Sequence, residues 1–127
     1  MEVRENYFYT KDHEWVRVED GIAYVGITDY AQSELGEIVF VDVNTVGDEV
    51  AQFDTFGSIE AVKTVADLNM PVTGVVEEVN PDLEDRPELV NTDPYEDGYI
   101  IRITLANEDE LSNLMTAKEC EEFLANS

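Results

Sequence analysis

The sequence predicts a mainly β, single-domain protein with short helices and a helical C-terminus. Three observations carry that expectation. Short segments of alternating apolar and polar residues, separated by Gly, Pro, Asn and Asp, run from the N-terminal region through Leu105. Helical spacing of apolar residues dominates only after Asn107. With 127 residues, 43% of them hydrophobic, and five Phe, six Tyr and one Trp, the chain can bury one core but is too short for two ordinary domains, so residues 1–127 are read as one unit.

Taken in order, Trp15-Val16-Arg17-Val18-Glu19 alternates and stops at Asp20-Gly21, a type I′ hairpin signal, and Ile22 to Ile27 resumes the pattern. Thr28 or Asp29 is placed to cap a short helix through Tyr30-Ala31-Gln32-Ser33-Glu34-Leu35, with Gly36 as its stop. Ile38 to Val43 reads as a more continuous apolar strand, Pro71 to Val79 breaks, turns and restarts, and Tyr99 to Leu105 is the clearest strand of all. Beyond Asn107, Leu111, Leu114 and Met115 recur at helical spacing, and Thr116 with Glu119 forms a capping box for a helix burying Cys120, Phe123 and Leu124. The helical C-terminus is therefore expected over about residues 108–125.

Thirty Asp and Glu against seven Lys and Arg give a net charge of −23, spread through the whole sequence. Such a surface repels nucleic acid and anionic membrane, and neither is expected as a partner. A distributed excess of acid suits a solvated, halophilic surface better than one local partner site; it predicts weak folding in dilute buffer that recovers in molar KCl, where screening shortens repulsion to about 3 Å. Cys120 stands alone, which excludes an intramolecular disulfide and a Cys-rich metal site. The opening MEVRENYFYT has neither the apolar core of a signal peptide nor the composition of a transit peptide, and no apolar run approaches a membrane span. A cytoplasmic protein is expected.

His13 is the only histidine, so no catalytic triad or zinc site can be built on it. Cys120 falls on a buried helix face without a basic neighbour and reads as core, not as a thiolate nucleophile. Glycines occur singly, without a phosphate-cradling loop. No self-contained catalytic apparatus emerges, so the chain is not expected to be an enzyme. Lys63 is the exception to an otherwise unremarkable surface: within SIEAVKTVADL it is the only Lys or Arg between Arg17 and Arg86. Local rules leave the segment open. Ile59, Val62, Val65 and Ala66 share a helical face that Ser58 could cap, whereas the β-branched content favours two strands, with Ile59 and Ala61 facing in on one, Ala66 and Leu68 on the other, and Lys63 at a tight turn that lacks Asn-Gly. A lone loop lysine is ordinarily a solvated charge. One retained where lysine has otherwise been discarded is a candidate for acylation, which would turn the charge into a neutral swinging arm.

The stretch Phe56-Gly57-Ser58-Ile59-Glu60-Ala61-Val62-Lys63-Thr64-Val65-Ala66-Asp67-Leu68, followed by Met70-Pro71-Val72-Thr73-Gly74, resembles the lipoyl-attachment signature of the glycine cleavage system H protein family. Three further blocks agree in order: Tyr9 to Val16, Val25 to Val39, and Asn80-Pro81 through Pro94-Tyr95 with Gly98. Ala61 replaces the family's usual Ser, and Val43-Asn44 its usual Leu-Pro, but neither touches the lysine. A biotin carrier would want Met on both sides, where Val62 and Thr64 stand; lipoyl domains of 2-oxoacid dehydrogenases usually place Asp before the lysine and lack C-terminal helices.

The resemblance implies a barrel-sandwich hybrid (lipoyl-domain-like) of two small antiparallel sheets, with lipoic acid amide-linked to Lys63. It implies a carrier of the aminomethyl group from glycine decarboxylase, a pyridoxal phosphate enzyme, to aminomethyltransferase, then reoxidised by dihydrolipoamide dehydrogenase and first modified by a lipoate ligase or lipoyl transferase. Glu14 and Asp67 match the acids against which the family's loaded arm folds back. Two alternatives use the same residues: an H-like relay passing lipoyl groups to other complexes, and an unmodified acidic interaction module, which leaves Lys63 unexplained.

Overall fold

The structure, a computed structural model, describes residues 3–126. A two-residue strand, β1 (Phe8–Tyr9), pairs with β2 (Glu14–Glu19), which turns back into β3 (Ile22–Ile27) with Arg17 opposite Tyr24. The turn is made by Asp20 and Gly21 at φ 53° and 81°, the left-handed pair that a type I′ hairpin requires. Trp15 lies opposite Gly26, and a Cβ there would sit 2.7 Å from the indole, so only glycine lets the ring lie across the neighbouring strand.

Helix α1 (Asp29–Leu35) starts at Thr28, whose side chain accepts from the Ala31 amide, and stops at Gly36. β4 (Ile38–Asp42) follows, then β5 (Glu49–Val50), the pair β6 (Thr55–Ala61) and β7 (Val65–Asn69), and β8 (Gly74–Val79). Two single-turn helices, α2 (Asp82–Asp85) and α3 (Leu89–Thr92), lead into β9 (Ile101–Leu105). All pairings are antiparallel, and they form a six-stranded sheet in the order β1-β2-β3-β9-β8-β5 and a three-stranded sheet in the order β4-β6-β7. The mainly β fold with two antiparallel sheets is as expected. The apolar run at Ile38 to Val43 forms the open edge of the small sheet; only Ile38 is fully buried, while Val39 and Phe40 face solvent.

The helical C-terminus has two segments, as expected, but the first is not an α-helix. Glu108–Asn113 is a 3₁₀ segment, capped by the Asn107 side chain and closed by the Leu114 amide donating to the Leu111 carbonyl. Glu110 is drawn against the sheet by accepting from both the amide and hydroxyl of Thr73, at 2.7 and 2.8 Å. Met115 then bridges Tyr9, which keeps the backbone extended there, and α4 (Ala117–Ala125) begins with Thr116 and Glu119 in a complete capping box.

The main core fills the space between the sheets, with Val25, Ile59, Leu68, Val76, Ile101 and Ile103 fully or almost fully buried. A second, aromatic cluster of Tyr7, Tyr9, Trp15 and Tyr95 lies beneath α4, where Cys120 is buried and its thiol pKa is pushed up by that burial. The indole N–H of Trp15 donates to the Pro94 carbonyl at 3.0 Å. Among the described residues no helix is long and apolar enough to cross a membrane.

Candidate functional site

Strands, not a helix, carry Lys63. Ser58 pairs with Asp67 and Ile59 with Ala66, so Ile59, Ala61 and Leu68 point into the core as the two-strand reading expects. Val62 and Val65, which a helical face would bury, are 71% and 61% exposed. The ladder closes with the Ala61 amide donating to the Thr64 carbonyl at 2.8 Å, leaving Val62 and Lys63 as the connection. Neither has a positive φ, so this turn is not of the primed kind, and the lack of Asn-Gly follows from its geometry.

The tip is braced from outside the hairpin. Ile38 pairs with Ala61, and the Val62 amide donates to the Glu37 carbonyl at 3.0 Å. Just before them, Gly36 adopts φ 82° and ψ −156°, a conformation essentially restricted to glycine. A Cβ at Gly36 would lie 3.4 Å from Cε of Lys63 and 3.8 Å from its Nζ. The lysine stem therefore rests on bare backbone at the end of α1.

Beside the hairpin lies a cleft of about 190 Å³ between the small sheet, α1 and the corner before β2. Its walls include Ile27, Ala31, Leu35, Ile59, Ala66 and Leu68, with Asp12, Glu34 and Asp67 exposed among its lining. Glu14 belongs to the same cleft but is only 3% exposed. Its carboxyl accepts from the Thr10 hydroxyl at 2.8 Å through Oε1 and from the Asn69 amide at 3.3 Å through Oε2. Thr10 is itself fixed by the amides of Asp12 and Glu14, which donate to its hydroxyl. Burial raises the Glu14 pKa to about 8, outweighing the lowering by those two hydrogen bonds. At neutral pH the acid is largely protonated; an ammonium brought alongside would favour its anion.

His13 lines the cleft with φ 69°, its ring centroid 4.6 Å from that of Tyr30 and 5.8 Å from that of Phe123, so it joins α1 to α4. Burial pushes its pKa down. The structure thus brings Glu14 and Asp67 to one cleft, the first at its base and the second exposed, with Lys63 on the adjoining hairpin. Sequence reasoning did not single out Thr10 and Asn69 as the partners of Glu14. Asn69 is 55 residues away in the chain, and no local pattern marks such a bond. Among the described residues no group of His, Cys, Asp and Glu could hold a metal ion.

Comparison with known proteins finds relatives of the chain. The family model described as "Glycine cleavage H-protein" matches residues 7–127. A glycine cleavage system H protein of Bacteroides fragilis is 52% identical over 118 residues, covering 93% of this chain and 94% of that protein. Its counterpart in Salinibacter ruber is 55% identical over 117 residues, covering 92% and 94%. The crystal structure of a glycine cleavage system H protein from Mycobacterium marinum superposes with a TM-score of 0.82 at 34% identity, covering 98% of each chain.

Proposed function

This chain belongs to the glycine cleavage H-protein family, and from that premise we propose that Lys63 is its lipoyl-attachment residue and the adjoining cleft its shelter for a cationic amine. The observation that supports this most is the pairing of an exposed hairpin lysine with an apolar cleft holding a buried carboxyl. When bound to Lys63, the lipoyl group would supply a dithiolane suited to carrying an aminomethyl group between glycine decarboxylase and aminomethyltransferase, with dihydrolipoamide dehydrogenase restoring its oxidised form.

The residues present fit that group. Lys63 offers an amine at an exposed turn, where acylation removes a charge without opening the core. Gly36 lies beside its stem at the end of α1. Glu14, held by Thr10 and Asn69, would release its proton to solvent and provide a carboxylate to an ammonium beside the apolar wall of the cleft. Exposed Asp67 adds negative field at the cleft. A buried acid that can answer an ammonium favours the reading as a carrier of amines over a relay of lipoyl groups. The chain is a carrier subunit, its acidic surface is suited to salt, and a lipoate ligase or lipoyl transferase is the partner that must recognise the hairpin.

Intact-mass measurement with peptide mapping after co-production with a lipoate ligase tests the assignment. One lipoyl adduct on Lys63, absent from Lys63→Arg, is expected. A folded protein without adduct, or with the adduct on Lys11 or Lys118, would overturn it.

A further inference from the structure

The segment from Asn80 to Tyr95 is far from Lys63 in sequence, and lipoyl attachment by itself gives it no task. Two of its side chains hold opposite ends of α1. The Asp29 amide, at the start of the helix, donates to the Tyr95 hydroxyl at 3.1 Å. At the other end Nδ2 of Asn91 donates to the Gly36 carbonyl at 2.8 Å and to Oε1 of Gln32 at 3.0 Å, while its Oδ1 accepts from the Ile38 amide at 2.9 Å. One amide side chain thus spans Glu37, bonding the Gly36 carbonyl on one side and the Ile38 amide on the other, directly after the residue beneath the Lys63 stem.

This clamp matters because it adds to the Thr28 cap, the Tyr30–His13 contact and the partial burial of Ala31 and Leu35 in holding a short helix. The seven residues of α1 include none that is fully buried, although Tyr30, Ala31, Glu34 and Leu35 all line the cleft. A helix this short has little stability of its own. The Gly36 to Ile38 stretch that Asn91 fixes also supplies the Glu37 carbonyl to the Val62 amide and pairs Ile38 with Ala61.

We propose that Asn91 is a positioning residue for the lysyl arm, setting through the Gly36–Ile38 backbone both the bed of the Lys63 stem and the α1 wall of the cleft. The functional half of this inference rests on the reading of Lys63 as the lipoyl site; the structural half concerns the unmodified chain.

Asn80 provides a matched control. Its side chain likewise makes three hydrogen bonds, all of them to backbone, donating to the Asp97 and Tyr99 carbonyls at 2.7 and 2.9 Å and accepting from the Asp82 amide at 3.1 Å, but none involves α1 or the hairpin. Amide hydrogen exchange on the unmodified protein should show Ile38 and Val62 exchanging about tenfold faster in Asn91→Ala and at the parent rate in Asn80→Ala. Asn91→Asp keeps the acceptor for Ile38 but loses both donors, so it should restore protection at Ile38 and not at Val62, and it is the variant to read if the alanine fails to fold. In the parent chain itself the two amides should open together, with protection factors within about threefold of each other. Unrelated protection in the parent, or parent-like exchange at Val62 in either Asn91 variant, would overturn the proposal.

On lipoylated protein loaded through glycine decarboxylase, water attack on the aminomethyl carbon should release formaldehyde and ammonia faster from Asn91→Asp than from the parent or Asn80→Ala. Equal release would overturn the role toward the arm. If the parent accepts no lipoyl group, the assignment of Lys63 fails while the exchange data still decide what Asn91 does.

Discussion

The aromatic end under α4 and the hairpin end around Lys63 solve opposite problems. At the first, Tyr9, Trp15 and Tyr95 are at most 1% exposed, and the indole and tyrosine hydroxyls find backbone partners. At the second, Val62, Val65 and Phe40 stand in solvent, and the tip depends on a few backbone bonds to the end of α1. Burial holds the fold at one end, while the other exposes the amine proposed above as the lipoyl site. Changes at the two ends should therefore separate stability from modification.

The largest effect is expected from Trp15→Ala, which empties the aromatic cluster and strands the Pro94 carbonyl; urea unfolding should show a loss of about 3–5 kcal/mol. Whatever remains folded should still be modified at Lys63, and loss of modification in that fraction would break the separation. Glu14→Gln comes next, with a pH-dependent sign. Folded protein holds the Glu14 proton up to pH about 8, whereas the unfolded chain releases it near 4.5. The folded state therefore binds more protons through that window, and the parent loses stability as pH rises across it. Each tenfold change in proton affinity is worth about 1.4 kcal/mol. Relative to the parent, the amide variant should gain a few kcal/mol between pH 5 and pH 8 and no more above it, measured by unfolding at a series of pH values; a flat difference would mean that Glu14 titrates as a solvated acid. At the hairpin end, Gly36→Ala forces a side chain into a glycine conformation and should cost about 1–3 kcal/mol in the same assay. Lys63→Arg should abolish lipoylation in the mass assay and shift stability by no more than about 0.5 kcal/mol.

What the sequence made legible was what local rules govern. Asp20-Gly21, Thr28 with Gly36, and Thr116 with Glu119 each announce a turn or cap that the structure contains. Lys63 stood out by composition, and the β-branched residues around it correctly favoured strands over a helix. Spacing alone did not distinguish the 3₁₀ segment Glu108–Asn113 from an α-helix, because the contact that tightens it comes from Thr73. Nor did it show that Phe40 faces solvent, since an apolar edge strand and a buried one read alike. The hydrogen bonds of Glu14 with Asn69, and of Asn91 with Gly36 and Ile38, join residues more than fifty positions apart. Such bonds follow from the fold, so they become visible only once the two sheets and α1 are in place.

The two-residue connection at Val62 and Lys63 has a mechanical meaning. A long loop would add its own slack to any chain grafted on the lysine, diluting the far end over a larger volume. Here the ladder is closed at Ala61 and Thr64, so the pivot is nearly stationary and all the reach belongs to the tether. For the arm proposed on Lys63, tether length would then limit how far its far end can travel from the hairpin.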